Sequence, residues 1–175
     1  SCVVRNVLFL TEKQETSIIK VYDRARAEGV MRSIEVMNVF SKMRSQYRNM
    51  CVPVCQKYGI NQTNLDILLF LGQYPQYNTA RDMCEIRGIK TGIVSVAVEQ
   101  LIQKGYLERR SDERDHRIQR LFLTDGGRMA VSDGKASCMQ IKEKLCTGIT
   151  TEEMEVLDRI IKKLAENLET ENQGE

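Results

Sequence analysis

Five arginines fall between positions 109 and 120, interleaved with Asp112, Glu113 and Asp115 and joined by the chain's single histidine, His116. A guanidinium is a planar fork of donors that matches phosphate oxygens and base edges. Arg114 stands at the centre of the cluster, where it would reach a minor groove whose narrow A·T-rich stretches concentrate negative potential. Carboxylates do not approach phosphates unaccompanied. Asp112 and Asp115 are therefore expected to hold Arg114 and Arg117 by charge-assisted hydrogen bonds. Arg109, Arg110 and Arg120 would add phosphate contacts. His116 has the pKa range of a pH switch, but the simpler expectation is an exposed tip residue. A second set of residues suited to DNA lies upstream. Lys90, at a helix N-terminus, suits a phosphate. Thr91 and Ser95 can donate to phosphates or base edges, Gln100 can pair with adenine, and Val96 can pack on a thymine methyl.

These side chains are useful only if something positions them. Asn78 is a good helix N-cap, because its side-chain oxygen accepts from an orphan backbone N–H. Gly88 supplies the left-handed conformation that ends a helix. A short turn then leads to a second helix from Lys90 to Lys104, stopped by Gly105. Helix, glycine-containing turn and helix form the DNA-binding helix-turn-helix pattern, whose second helix is offered to the major groove. On that helix Ile93, Ala97, Val98, Leu101 and Ile102 are expected to face the core. Lys90, Thr91, Gly92, Ser95, Val96, Glu99 and Gln100 would face outward. Past Gly105 the period changes. Tyr106 and Leu107 start one strand, Arg117 to Leu123 form another, and Ser111 to His116 make the tip between them. A charged hairpin directly after a helix-turn-helix is a winged helix.

Gly88, Ile89, Lys90, Thr91, Gly92, Ile93, Val94 and Ser95, followed by Leu101 to Arg109, resemble the recognition helix and first wing strand of the MarR (multiple antibiotic resistance regulator) family. Asp112 to Arg117, followed by Leu121 to Gly127, is similar to that family's D-x-R-D-x-R…L-x-L-T-x-x-G signature. Both halves occur in order and at the right spacing, over roughly residues 60–128. The fold this resemblance implies is mainly α with a small β-hairpin wing. It implies a dimeric, sequence-specific transcriptional regulator, a repressor released by a small aromatic or apolar ligand. The implied DNA-contacting residues are Lys90, Thr91, Gly92, Ser95, Val96, Gln100, Arg109, Arg110, Asp112, Arg114, Asp115 and Arg117, on a pseudo-palindromic double-stranded operator. Family members often carry arginine where this chain has Val96 and Gln100. Some relatives sense thiol oxidation instead of a ligand, and Cys51 and Cys55, one turn apart, are the candidates for that alternative.

Three regions follow from this reading: residues 1–60 as an N-terminal helical dimerisation segment, 61–124 as the DNA-binding lobe, and 125–175 as a long connecting helix with a C-terminal dimerisation helix. Residues 1–10 fit a strand, a helix start or an arm. Thr11 and Gln14 match a capping box opening a helix to about Arg26. A second helix from Met31 to Cys51 carries Ile34, Met37, Val39, Phe40, Met43 and Tyr47 on one stripe, and Pro53 should end it near Val52. Gly59 to Tyr74, capped by Asn61 or Thr63, is the first helix of the lobe. Thr124 to Cys146 reads as one helix with Met129, Ala130, Met139, Ile141 and Leu145 inward, weakened at Gly134 by about 1 kcal/mol relative to alanine. Thr150 or Thr151 caps a last helix with acidic residues at its positive end. Its stripe of Met154, Leu157, Ile160, Ile161, Leu164 and Leu168 is too apolar for a lone surface helix; a second subunit is the economical partner. Glu169 to Glu175 has a disordered composition.

Across 175 residues the formal net charge is only +2, so no global basic field announces a polyanionic partner. Distribution says more. Residues 1–60 carry ten Lys and Arg against five Asp and Glu, residues 61–150 carry 13 against 11, and residues 151–175 carry three against eight. An acidic tail thus conceals a moderately basic body. The six cysteines are irregularly spaced with no C-x-x-C, which supplies no structural zinc site; no cofactor is expected. Reduced thiols in the cytoplasm are expected, because a large helical chain has little need of disulfides. No apolar run approaches the length of a membrane span. An enzyme would need a nucleophile–base pair, a metal cluster or a phosphate-cradling glycine loop. One hairpin histidine, with no G-x-x-x-x-G-K and no H-E-x-x-H, argues against all three. A winged helix that binds protein instead of DNA remains the rival reading.

Overall fold

A computed structural model of the chain describes residues 33–171. The expectations for residues 1–10 and for the helix opening at Thr11 lie outside the described residues. Six helices and two strands follow in the order α1 (Ser33–Tyr58), α2 (Gln62–Gln73), α3 (Ala80–Arg87), α4 (Thr91–Gln103), β1 (Leu107–Ser111), β2 (Gln119–Leu123), α5 (Asp125–Leu145) and α6 (Thr151–Glu171). The fold is mainly α with a two-stranded antiparallel hairpin, as the sequence implied. Among the described residues, no helix is long and apolar enough to cross a membrane. Residues Arg48–Gln140 form one compact unit, and the other described residues, 33–47 and 141–171, belong to a second.

The core of the 48–140 unit is built on α2. Leu65, Leu68 and Ile67 are at most 2% exposed, and the helix packs on α4 and on β2. Its start is set locally, since Asn61 Oδ1 accepts from the Asn64 backbone N–H at 2.9 Å, which satisfies one orphan donor of the first turn. Asn64 itself is buried. Its amide donates to the carbonyl of Ala97 at 3.4 Å and to Gln100 Oε1 at 3.3 Å, so a polar clasp ties α2 to α4. Such a pairing fixes register more than it adds stability.

Pro53 does not end α1. The helix runs through it to Tyr58, well past the stop the proline suggested. A proline inside a helix loses one backbone bond and crowds the preceding turn, but burial outweighs that local cost here. Cys51 and Val54 on either side are buried, and the true end comes at Gly59, with φ +61°. Beyond it the Ile60 N–H donates to the Cys55 carbonyl at 2.9 Å. The Tyr58 hydroxyl and Lys57 both donate to the Asp133 carboxylate, at 2.9 and 2.7 Å, pinning the end of α1 to α5.

The expected inward faces need correction. Met129 and Met139 on α5 are 61% and 57% exposed, whereas Ala130, Val131 and Ile141 are buried. On α1, Met37 and Val39 are exposed while Tyr47 is buried. Gly134 is not merely a weak point of α5. A Cβ there would lie 3.0 Å from Leu69 Cδ2 and 3.2 Å from Leu65 Cδ1, so glycine is what lets α5 approach α2. Gly127 is tighter, with an added Cβ only 2.2 Å from the Tyr106 carbonyl oxygen. Helix propensity alone predicts that Gly134→Ala stabilises by about 1 kcal/mol. Overpacking should reverse that sign, giving a net loss of about 1 kcal/mol in urea unfolding, and Gly127→Ala should cost at least about 2 kcal/mol.

Candidate nucleic-acid interface

The helix-turn-helix consists of α3, a turn and α4. Its opening cap is Thr79, one residue later than expected. Thr79 Oγ1 accepts from the Asp82 backbone N–H at 3.0 Å, and the Asp82 carboxylate accepts from the Thr79 N–H at 2.9 Å, a complete capping box. Asn78 is thereby free for another task. It is buried, its carbonyl accepts from the Leu121 N–H at 2.8 Å, and its side-chain oxygen accepts from Arg120 Nη1 at 2.9 Å. Thr79 also bridges to Arg120 in antiparallel fashion, so the segment before α3 adds a short third rung to the wing sheet. Gly88 ends α3 in the left-handed region at φ +61°, and α4 opens at Thr91 with Lys90 in the cap position.

Helix α4 buries Val94, Ala97, Val98 and Leu101. Ile93, assigned to the core from the sequence, is instead 50% exposed. The apolar residues at 93, 94, 97, 98, 101 and 102 fit two overlapping helical stripes, and only the packing of α4 against α2 and α3 selects between them. The outward face therefore carries Lys90, Thr91, Gly92, Ile93, Ser95, Val96, Glu99 and Gln100, all exposed. Gln100 Oε1 accepts from the Asn64 amide, and the residue as a whole is exposed. Cys84 on α3 is half-buried, its thiol 3.7 Å from the Thr91 hydroxyl.

In the wing, β1 and β2 pair from Leu107 with Leu123 to Ser111 with Gln119, and the tip between them is tied down by its own aspartates. Asp112 Oδ1 accepts from the backbone N–H of Arg114 at 2.9 Å and of Asp115 at 3.1 Å. Asp115 Oδ1 accepts from the Arg117 N–H at 3.0 Å. Each D-x-R unit is thus an Asx turn, in which the carboxylate captures the main chain two residues on. This corrects the expectation that Asp112 and Asp115 grip the guanidinium groups of Arg114 and Arg117. They grip the backbone, and among the described residues neither arginine side chain has a hydrogen bond or ion pair. Both are exposed.

The other arginines are occupied. Arg120 was expected to touch phosphate, but its Nε donates to Asp112 Oδ2 while Nη1 holds Asn78, which joins the wing tip to the start of the helix-turn-helix. Arg109 pairs with Glu99 of α4 at 2.5 Å, cancelling a carboxylate on the outward face. Arg110 pairs with Glu108 and lies 4.9 Å over the Phe122 ring. The Arg120 hydrogen bond, with the Arg114 and Asp115 backbone donors, holds the Asp112 carboxyl down at about 2 against an ordinary 3.8. Sequence reasoning missed the Arg120–Asn78 link. The one available signal was a polar Asn just before a Thr-x-x-Asp capping box, which left the asparagine without a capping role.

Of the two candidate redox cysteines, Cys51 is fully buried. Burial, reinforced by the nearby Asp66 charge, pushes the Cys55 thiol above its ordinary range, the opposite of what forms a reactive thiolate. An open hollow of about 440 Å³ is lined by Arg48, Val52, Cys55, Gln56, Gly59, Ile60 and Gln62.

With this geometry in view, residues 58–118 match the family described as the MarR family. A curated relative, an uncharacterized HTH-type transcriptional regulator of Bacillus subtilis named YwaE, is 28% identical over 117 residues, covering 67% of this chain and 68% of its own length. Among solved structures, a MarR transcriptional regulator from Methanosarcina mazei Go1 is similar with a TM-score of 0.64 at 20% identity, covering 77% of this chain and 97% of its own. A Staphylococcus aureus MepR–DNA complex is similar with a TM-score of 0.65 at 18% identity, covering 79% and 96%.

Because its folded pKa is depressed, Asp112 contributes fully to wing order above about pH 4, and that contribution fades as pH falls toward about 2. A carboxyl-carbon NMR titration should place its midpoint near 2, and Arg120→Met should move the midpoint up toward 3.8.

Proposed function

We propose that the chain, whose residues 58–118 match the MarR family, is a transcriptional regulator of that kind that works as a homodimer on a pseudo-palindromic operator. One observation carries the reading: the wing tip spends its acidic residues on its own backbone and presents Arg114 and Arg117 without intramolecular partners among the described residues. Unpaired guanidiniums carried on a hydrogen-bonded turn are suited to the negative potential of a minor groove. Beside them, α4 offers Lys90, Thr91, Ser95, Val96 and Gln100 to the major groove, with the first turn of the helix open to a phosphate. Arg109 and Arg110 act within this interface as charge-neutralising and strand-stiffening residues. The MepR–DNA complex among the similar folds supports the choice of duplex DNA as the partner.

The dimer reading is supported by α6. Its Thr150 capping box, with Glu153 accepting from the Thr150 N–H at 2.8 Å, starts a helix whose Val156, Leu157 and Ile160 are 44%, 36% and 47% exposed. Apolar residues repeating on one helical face are covered economically by a second copy. Two subunits set the half-sites about one helical turn apart. Bound at a promoter, such a dimer excludes polymerase and so represses. Release by a small apolar or aromatic effector is supported by the hollow beside Val52 and Ile60, whose size suits such a ligand. The thiol-oxidation alternative is disfavoured by the burial of Cys51 and the raised Cys55 thiol.

Gel-shift titration on the promoter of the chain's own gene should give a salt-sensitive complex. Arg114→Ala should weaken it at least about tenfold, and should lower the slope of log K against log salt by about one for each phosphate no longer neutralised. Ile160→Glu should sediment as a monomer and bind roughly 100-fold more weakly, because two linked heads no longer bind together. A folded protein that binds no promoter fragment at low salt would instead favour a protein-interaction module.

A further inference from the structure

The outward face of α4 has a centre that polar contacts do not account for. Ile93 and Val96 are 50% and 60% exposed and stand one helical turn apart, so they form a single apolar ridge on the surface offered to the major groove. Gly92 lies beside them. A Cβ at that position would meet nothing within 4 Å, and its φ is not positive. Neither packing nor turn geometry within the described residues requires glycine there, although glycine is the poorer helix former. What the residue leaves is space in front of the helix. The only carboxylate on this face, Glu99, is neutralised by Arg109 at 2.5 Å, so the ridge is not screened by a free negative charge.

We propose that this ridge reads thymine, with Ile93 and Val96 packing on the C5-methyl groups of thymines in each half-site while Gly92 allows the close approach. The inference rests on the DNA-binding reading above and deepens it by naming Ile93 as a specificity-determining residue. Thymine is the one base that presents a methyl group in the major groove, and an apolar side chain is the surface that favours it. The preference arises because each methyl leaves water on contact. Polar side chains on either side, the exposed Ser95 and Gln100, read neighbouring positions or phosphates.

The test uses the full chain and a duplex enriched from a random-sequence pool by repeated rounds of binding. That duplex is amplified once with thymidine triphosphate and once with deoxyuridine triphosphate. The exchange deletes every C5-methyl, leaves Watson–Crick pairing intact and does not alter the minor-groove edges that the wing would meet. Unmodified protein should bind the uracil duplex on the order of tenfold more weakly. The Ile93→Ala, Val96→Ala double variant should bind the thymine duplex with that same weakened affinity and lose nothing further on uracil. Both positions are exposed, so its melting temperature should match the parent's. Equal affinity of the parent for the two duplexes would overturn the proposal while leaving DNA binding intact. So would a double variant that still loses tenfold on uracil, since the effect would then come from the DNA itself. A pool in which no duplex is ever enriched would overturn the DNA-binding reading, and this inference with it.

Discussion

The Asp112 carboxylate is the point on which the wing and its attachment to the helix-turn-helix depend. One oxygen takes two backbone N–H groups of the wing tip, and the other takes the Arg120 guanidinium, which in turn holds Asn78 in front of the helix-turn-helix. A hairpin of five-residue strands has little stability of its own in water. Anchored at its tip and along one edge, it becomes a fixed extension of the helical lobe. The carboxyl pKa of about 2 expresses the same fact, because the charged form of Asp112 is what all three donors require.

This arrangement sorts five neighbouring arginines into different tasks. Arg120 is spent inside, Arg109 is paired with Glu99 of α4, Arg110 is paired with Glu108 of its own strand, and Arg114 and Arg117 are left outward. The D-x-R unit achieves the outward display by satisfying each arginine's own backbone N–H and asking nothing of its guanidinium. A net charge of only +2 is therefore no obstacle to nucleic-acid binding. What matters is which cations lack internal partners, and where the fold puts them. The Glu99–Arg109 pair makes the complementary adjustment on α4, removing a negative charge that would oppose phosphates.

Close packing elsewhere serves the same end. Gly127 and Gly134 let α5 press against Tyr106 and α2, and the Asn64 clasp keeps α2 and α4 in register. The exposed side chains of α4 are consequently carried on a closely packed core, which would suit the base discrimination proposed for them. The proline in α1 is tolerated for a related reason: burial of Cys51 and Val54 outweighs the helical hydrogen bond that Pro53 cannot make.

Much of this molecule was legible in its residues alone. The helix ends at Gly88 and Gly105, a cap at Asn61 or Thr63, the apolar period of α2 and the D-x-R-D-x-R tip are all local, since each depends on groups within a few positions of one another. These sufficed for the winged-helix fold and for the stretch proposed to face DNA. The tertiary structure alone decided which of two stripes α4 buries, and hence that Ile93 faces outward. It alone decided that Arg120 reaches Asn78, 42 positions away, and that Gly134 is a packing surface instead of a flaw. In each case the deciding term is burial or pairing between segments distant in the chain, and no local propensity carries information about which distant neighbour will be there.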